Sequence, residues 1–186
     1  MFSRRWPWVV TALVVAGSVI LLRTQGRLWW CACRSPALWV TEAWGPHTSQ
    51  HLFDPYSFSH IVHGLLFGGL AWLVARKRPF GWQFCFALAI ECIWEVLENT
   101  NFVIARFRGA TAAVGYEGDT IANSLGDILS CALGVLVARR LGLWWSVALA
   151  VIIETALLLW IRDNLLLDIV MLIYPIDAVR AWQAGQ

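Results

Sequence analysis

Three carboxylates stand where an apolar helix should have none. The run 80–90 carries no charge, and Glu91, Glu95 and Glu98 then follow at i, i+4 and i+7. That spacing puts all three on one helical face. Bare carboxylates in an apolar helix are expensive and need partners. Two other stretches can supply them: Ser59-His60-Ile61-Val62-His63-Gly64, and Gly118-Asp119-Thr120-Ile121-Ala122-Asn123-Ser124-Leu125-Gly126-Asp127. A chain of this kind has to bring the three stretches together.

Composition says where that happens. The 186 residues are 59% hydrophobic and only 14% charged, whereas a soluble domain is about half apolar and a quarter charged. This predicts an all-α polytopic membrane helix bundle, one integral domain over 1–186. A net charge of +2, with no basic patch interleaved with aromatics, excludes nucleic acid as a partner; the bilayer is the expected one. Many of the 13 tryptophans fall near predicted helix ends, as in interfacial belts. Of the five cysteines, Cys85, Cys92 and Cys131 read as packing residues. Cys31 and Cys33 are too close in sequence for an unstrained bridge, and none of the five has metal-site spacing.

In chain order, Arg4-Arg5 precede an apolar run with no small-x-small cleavage site after it, which reads as a retained signal anchor at about 8–22. An outer segment, 23–57, has turn signals at Gly45-Pro46 and Asp54-Pro55 and an expected interfacial helix at 36–44. The helix bundle occupies 58–180. Spans are expected at 58–75, 80–98, 119–140 and 143–161, with a loop directly after 98 that contains Arg106, Arg108 and the stretch Gly109 to Glu117. A shorter apolar segment, 165–178, is interrupted by Pro175. That makes about six spans, with both termini on one side. Arg4-Arg5, Arg76-Lys77-Arg78 and Arg139-Arg140, joined by Arg180, mark that side as cytoplasmic (N-in/C-in).

The polar groups then sort to the other side. All four histidines, and every acid except Asp177, fall in the outer half or near the midplane. At about 1.5 Å per residue, Glu91, Asp127 and Glu154 lie roughly 16 Å from the cytoplasmic ends of their helices, and His63 and Asp168 roughly 18 Å. Glu95, Glu98, Asn123 and Asp119 lie above them. The picture is a polar crevice open to the periplasm with acids at its floor. In the fourth span, Ala122, Gly126, Ser130 and Gly134 form a ladder of small residues suited to close helix contact. Asp119, Asn123 and Asp127 form a second ladder about 100° around it.

Each constellation admits a chemical and a structural reading. His60 and His63, with Glu95, make a set for a divalent metal such as zinc; alternatively they take another catalytic role, or hydrogen-bond to the glutamates and tie helices together. Glu91, Glu95 and Glu98 repel one another if all are ionised, which suits general acid or base work or a proton relay, whereas Glu98-Asn99 can instead cap the helix. Asp119 reads also as an N-cap; Asp127 has no such reading. Arg162 can bind an anionic head group, or pair with Asp163 or Glu98. The expected catalytic residues are Glu95, Glu98 and Asp127. The expected substrate-binding residues are Asp119, Asn123 and Arg162.

Five motifs carry a resemblance: Ser49-Gln50-His51-Leu52, Tyr56-Ser57-Phe58-Ser59-His60-Ile61-Val62-His63-Gly64, Trp94-Glu95-Val96-Leu97-Glu98-Asn99, Tyr116-Glu117-Gly118-Asp119-Thr120-Ile121-Ala122-Asn123-Ser124 and Ile161-Arg162-Asp163-Asn164-Leu165. In this order, from about Leu38 onward, the chain resembles the uncharacterised protein family 0314, also described as domain of unknown function 2585. The resemblance implies a multi-pass bacterial inner-membrane protein and no known activity. A weaker likeness is to VanZ-like membrane proteins, which also pair a His-bearing span with a Trp-Glu span and an Asp-x-x-x-Asn span. From the crevice itself, the leading expectation is a membrane-embedded enzyme acting on a lipid or lipid-linked envelope substrate from the periplasmic side. The rivals are an ion- or proton-coupled transporter and a non-catalytic assembly or resistance factor. A transporter should show a second polar path facing the cytoplasm, and the sequence has none.

Overall fold

A computed structural model describes residues 5–185; Arg4, half of the first basic cluster, lies outside them. The described chain is all-α. Its elements are α1 (Trp6–Thr24), α2 (Ser57–Ala75), α3 (Phe80–Glu98), α4 (Asn101–Ala110), α5 (Ile121–Leu141), α6 (Leu143–Ile161), α7 (Leu165–Ile173) and α8 (Asp177–Gln183). Five of them, α1, α2, α3, α5 and α6, are long and apolar enough to cross a membrane. Their outer faces stay apolar and uncovered: Leu73, Leu133, Ile152 and Leu159 are all exposed. A soluble protein rarely exposes so much continuous apolar surface; lipid accounts for it.

The bundle centres on α2, which packs against α3, α5 and α6. The α2–α5 contact is the closest, because glycine faces glycine. A Cβ on Gly64 would fall 2.1 Å from the carbonyl oxygen of Cys131, and one on Gly134 would fall 2.2 Å from that of Ile61. Gly134 therefore makes the close helix contact that the ladder's spacing predicts, while Gly126 packs against the Leu52 carbonyl of the outer loop. Below the ladder, Ala71, Phe84, Ala87, Leu88, Cys92, Ile128, Cys131 and Val135 form the apolar core, so two of the buried thiols are packing residues. The basic clusters share this end of the bundle. The Arg139 guanidinium lies 3.9 Å over the Phe80 ring, Gln83 donates to the carbonyl oxygens of Ala75 and Arg78, and Trp8 meets Phe84.

Four local expectations change. Residues 36–44 form no helix; that chain is extended, and Trp39 bridges Phe53, with Val40 N donating to Phe53 O and Phe53 N to Leu38 O. The backbone finds partners across the loop in place of a helix ladder. The loop after α3 contains a helix, α4, capped by the Thr100 hydroxyl accepting from Val103 N; Ile104, Phe107 and Ala110 make its buried face. The cap of α5 is Thr120, which accepts from Asn123 N, and not Asp119. Cys31 and Cys33 bring their sulfurs into bonding contact, where no bridge was expected.

The last segment differs most. Pro175 disfavours helix at the preceding residue, and Tyr174 is extended, so 165–178 breaks into α7 and the start of α8. A nine-residue α7 rises only about 14 Å. Arg162, in the left-handed region at φ 58°, turns the chain back along α6, where the Glu154 carboxylate accepts from Leu165 N and Leu166 N. Gln183 then donates to Asp163 Oδ1 at 3.1 Å. The end of α8, Arg180 included, therefore lies with the outer loops and not with the other basic clusters. Five long helices are joined by the folded-back α7–α8 pair, which makes the sixth apolar segment of the bundle.

Candidate functional site

The three stretches meet. His60 and His63, one turn apart on α2, both turn Nδ1 to Glu91 on α3. His60 is in short contact with Oε1, and His63 donates to Oε2 at 3.0 Å. Glu95, one turn further along α3, has Oε1 at 3.5 Å from His60 Nδ1. On α5, Asp127 Oδ2 lies 3.8 Å from His60 Nε2, and Ser57 donates to its other oxygen at 2.9 Å. His60, Glu91 and Glu95 are all buried. One imidazole is thus shared among three carboxyls from two helices.

The charge balance is lopsided. Five carboxyls (Glu91, Glu95, Glu98, Asp119, Asp127) surround two imidazoles, and among the described residues no Lys or Arg forms an ion pair with them. Protons or a cation must compensate in such a dry setting. Both Glu95 oxygens, both Asn123 side-chain atoms and the hydroxyls of Ser59 and Ser124 are buried with no hydrogen-bond partner. Native interiors rarely leave such groups unsatisfied. Two sets of donors lie close enough to share an ion: His60, His63 and Glu91, and His60, Glu95 and Glu98.

These residues back onto a cleft. His60, His63, Glu98, Asp119 and Asp127 form its polar side with Tyr56, Tyr116, Asp163 and Asp168; Trp44, Trp94, Phe107, Leu165, Ile169 and Leu172 form its apolar side. Glu95 and Asn123 do not line it; they lie behind the wall. Arg162 does not line it either. It is exposed, and donates to the Trp182 carbonyl at 3.0 Å, without the ion pair considered for it.

Loops complete the site with groups that no spacing rule singles out. Asn99 caps α3 and donates to Asp119 Oδ2 at 2.7 Å while accepting from Asp119 N. Tyr116 donates to Asp119 Oδ1 at 2.8 Å. Gly118, at φ +88°, lets this backbone approach: a Cβ there would fall 3.0 Å from Asn99 Oδ1. Burial raises the Asp119 carboxyl against these hydrogen bonds, and burial beside Asp119 raises the Tyr116 phenol. Asp54 accepts from Ser49 N at 2.7 Å and Tyr56 N at 2.8 Å, yet burial pushes it up to about 6. Asp163 accepts from Tyr56 OH, Asn164 N and Gln183, and burial pushes it likewise to about 6. The Asp-Pro turn flagged Asp54 as local structure only. Glu91 stood in the opening motif, but the sequence did not mark it as the residue between the two histidines.

The family described as "Protein of unknown function (DUF2585)" matches residues 22–185. The chain belongs to this family. Among curated relatives, all carrying the name UPF0314 protein, that of Paracoccus denitrificans is 43% identical over 187 residues, covering 100% of this chain and 96% of its own. That of Sinorhizobium fredii is 44% identical, covering 97% and 92%. That of Brucella anthropi is 38% identical, covering 98% and 94%. No solved structure matches. Membership begins well before Leu38 and takes in the outer segment. All five family-like motifs contribute residues to the cleft, Ser49, Asp163 and Leu165 included, so the family-like residues and the cleft coincide. The chain is a membrane protein of a bacterial family.

Proposed function

We propose that the chain is a metal-dependent enzyme of the bacterial inner membrane, acting on a lipid or lipid-linked envelope substrate from the periplasmic side. The observation that carries this is Glu95, a buried carboxyl with no hydrogen-bond partner, beside a histidine pair that shares Glu91 and lines an amphipathic cleft. His60, His63, Glu91 and Glu95 would hold a divalent ion such as zinc, whose chemistry is to polarise an ester or phosphoryl oxygen and acidify bound water. Asp127 and Glu98 face the cleft as acid and base. Asp119, fixed by Asn99 and Tyr116, would orient the head group, and Trp44, Trp94 and Phe107 would take the acyl portion. Asn123 supports this from behind. Arg162 has no part in it.

The transporter reading is disfavoured by the other end of the bundle. There the apolar cluster around Ala71, Phe84, Leu88 and Val135 packs between α2, α3 and α5, and the described residues form no second polar path of the kind alternating access requires. The test is the lipid profile of a deletion strain and its parent. An accumulating lipid species that wild type clears, and Asp127→Asn does not, is the expected result. Identical profiles, or full complementation by Asp127→Asn, would leave a non-catalytic assembly factor.

A further inference from the structure

A second set of metal-type donors lies outside the bundle, in the loop between α1 and α2. Cys31, Cys33, His47 and His51 each offer a ligand atom, and all four atoms fall within 4.8 Å of one another. Cys31 Sγ is 3.6 Å from His47 Nδ1, and Cys33 Sγ is 3.7 Å from His51 Nε2. Zinc bonds of about 2.3 Å to sulfur and 2.0–2.1 Å to nitrogen at tetrahedral angles put sulfur and nitrogen about 3.6 Å apart and two sulfurs about 3.8 Å apart, so both sulfur–nitrogen pairs fit and the Cys31–Cys33 contact has to open to admit the ion.

The surroundings prepare these atoms as ligands. His51 donates from Nδ1 to the Ala37 carbonyl at 2.6 Å, which leaves the Nε2 lone pair facing Cys33. A ligating histidine is normally oriented through its other nitrogen in this way. Cys33 N donates to Cys31 Sγ at 3.3 Å, and Ser35 N to Cys33 Sγ at 3.5 Å, so a backbone N–H already faces each sulfur. Arg34, at φ 59°, folds the backbone around the sulfurs. Trp30 meets the His51 ring edge-on. Cys31 and His51 are buried, while Cys33 is exposed.

We propose that Cys31, Cys33, His47 and His51 form a closed, structural zinc site. Two thiolates and two imidazoles fill a tetrahedral shell and leave no open position, so this ion holds structure and does no catalysis. Binding releases the two thiol protons. A Cys31–Cys33 disulfide is the rival state of the same sulfurs and excludes the ion. The site's purpose follows from what lies between its histidines. Thr48 and Ser49 line the cleft, and Ser49 O accepts from Thr120 N at 3.0 Å at the start of α5. Zinc on His47 and His51 would pin the cleft rim from both sides. The assignment shares no residue with the buried cluster and stands or falls apart from it.

The test uses the full-length chain purified in detergent without chelator. Elemental analysis should show that Cys31→Ser with Cys33→Ser, and His47→Ala with His51→Ala, each lose one equivalent of zinc per chain. His63→Ala should leave that equivalent in place. Cobalt added to chelator-stripped wild type should give thiolate-to-cobalt charge-transfer bands, retained by His63→Ala and absent from the double cysteine variant. The proposal is overturned by wild type that gives no thiolate–cobalt band. It is equally overturned by zinc content unchanged in both double variants, with Cys31 and Cys33 bridged when the protein is alkylated directly from cells. Zinc that leaves only with His63→Ala would support the buried site and sink this one.

Discussion

The buried cluster and the outer loop use overlapping ligand chemistry by opposite routes. His60, His63, Glu91, Glu95 and Asp127 come from three helices, and their meeting depends on how closely α2, α3 and α5 pack. Cys31, Cys33, His47 and His51 come from one loop, and extended pairing at Trp39 and Phe53 suffices to close it. In the loop, local backbone N–H groups and a carbonyl satisfy the donors. In the cluster, several polar atoms have no partner at all. The lesson concerns dielectric and distance. A locally built site can be fully satisfied at little cost, whereas one built across dry helix contacts carries uncompensated charge that only protons or a cation relieve.

The hardest test of this contrast removes the helix contact. Gly64→Leu drives a side chain into the Cys131 carbonyl and should destabilise the protein by about 3 kcal/mol or more. It should also abolish metal binding at the cluster, read as a lowered thermal midpoint and loss of one metal equivalent. Zinc bound through Cys31 should survive. Loss of both together would show that the two regions form one cooperative unit.

Next come the ligands themselves. His63→Ala and Glu95→Gln should each weaken the cluster's metal affinity by about 100-fold, measured by competition with a chromogenic chelator. If the cluster is structural only, Glu95→Gln should bind metal no differently and raise stability by about 1–4 kcal/mol, since a buried charge goes.

A smaller effect is expected from pH, and it arises in the loops. Asp54 has its folded value raised from 3.8 to about 6, so the folded state holds its proton more tightly than the unfolded state does. Its stabilising contribution is complete below pH 3.8 and is lost as pH rises through about 6. Asp163 acts in the same sense. Stability should fall across this window by on the order of 3 kcal/mol per group, followed by thermal unfolding in detergent. Asp54→Asn should flatten part of that slope; an unchanged slope would assign it elsewhere.

The smallest effect should follow Arg162→Ala. Its side chain is exposed and its hydrogen bond is to one carbonyl, so the expected change is within about 0.5 kcal/mol. A large loss of lipid processing with unchanged stability would return Arg162 to the site as an anion binder.

Much of the site was legible before any fold. A carboxylate in an apolar helix must be partnered, so Glu95, His60 and Asp127 could be matched through burial energetics alone. The Gly64–Gly134 contact was half legible, because the ladder on α5 announced a close approach without naming its partner. Glu91 was harder. Its spacing from Glu95 fits the same face, but only the rotation of α2 against α3 puts it between His60 and His63. Asn99 was invisible as a partner of Asp119, since that contact joins residues 20 positions apart through a loop whose path no periodicity encodes; Tyr116, three positions away, was missed because only the fold of that loop turns its hydroxyl back to the carboxyl.

What the sequence by itself determined is the bundle: apolar length, basic clusters and small-residue spacing are local quantities, each legible in one stretch. What only the tertiary structure decided is everything that depends on a return of the chain. The Pro175 break was visible in the sequence, but whether α8 continued across or folded back to Asp163 depended on Gln183 finding that carboxylate. Cys31 and Cys33 looked unsuited to any metal spacing because their partners, His47 and His51, arrive only when the loop closes on itself. Side-chain pattern fixes which face is apolar; it cannot fix which polar groups a folded loop will bring within a few ångströms of one another.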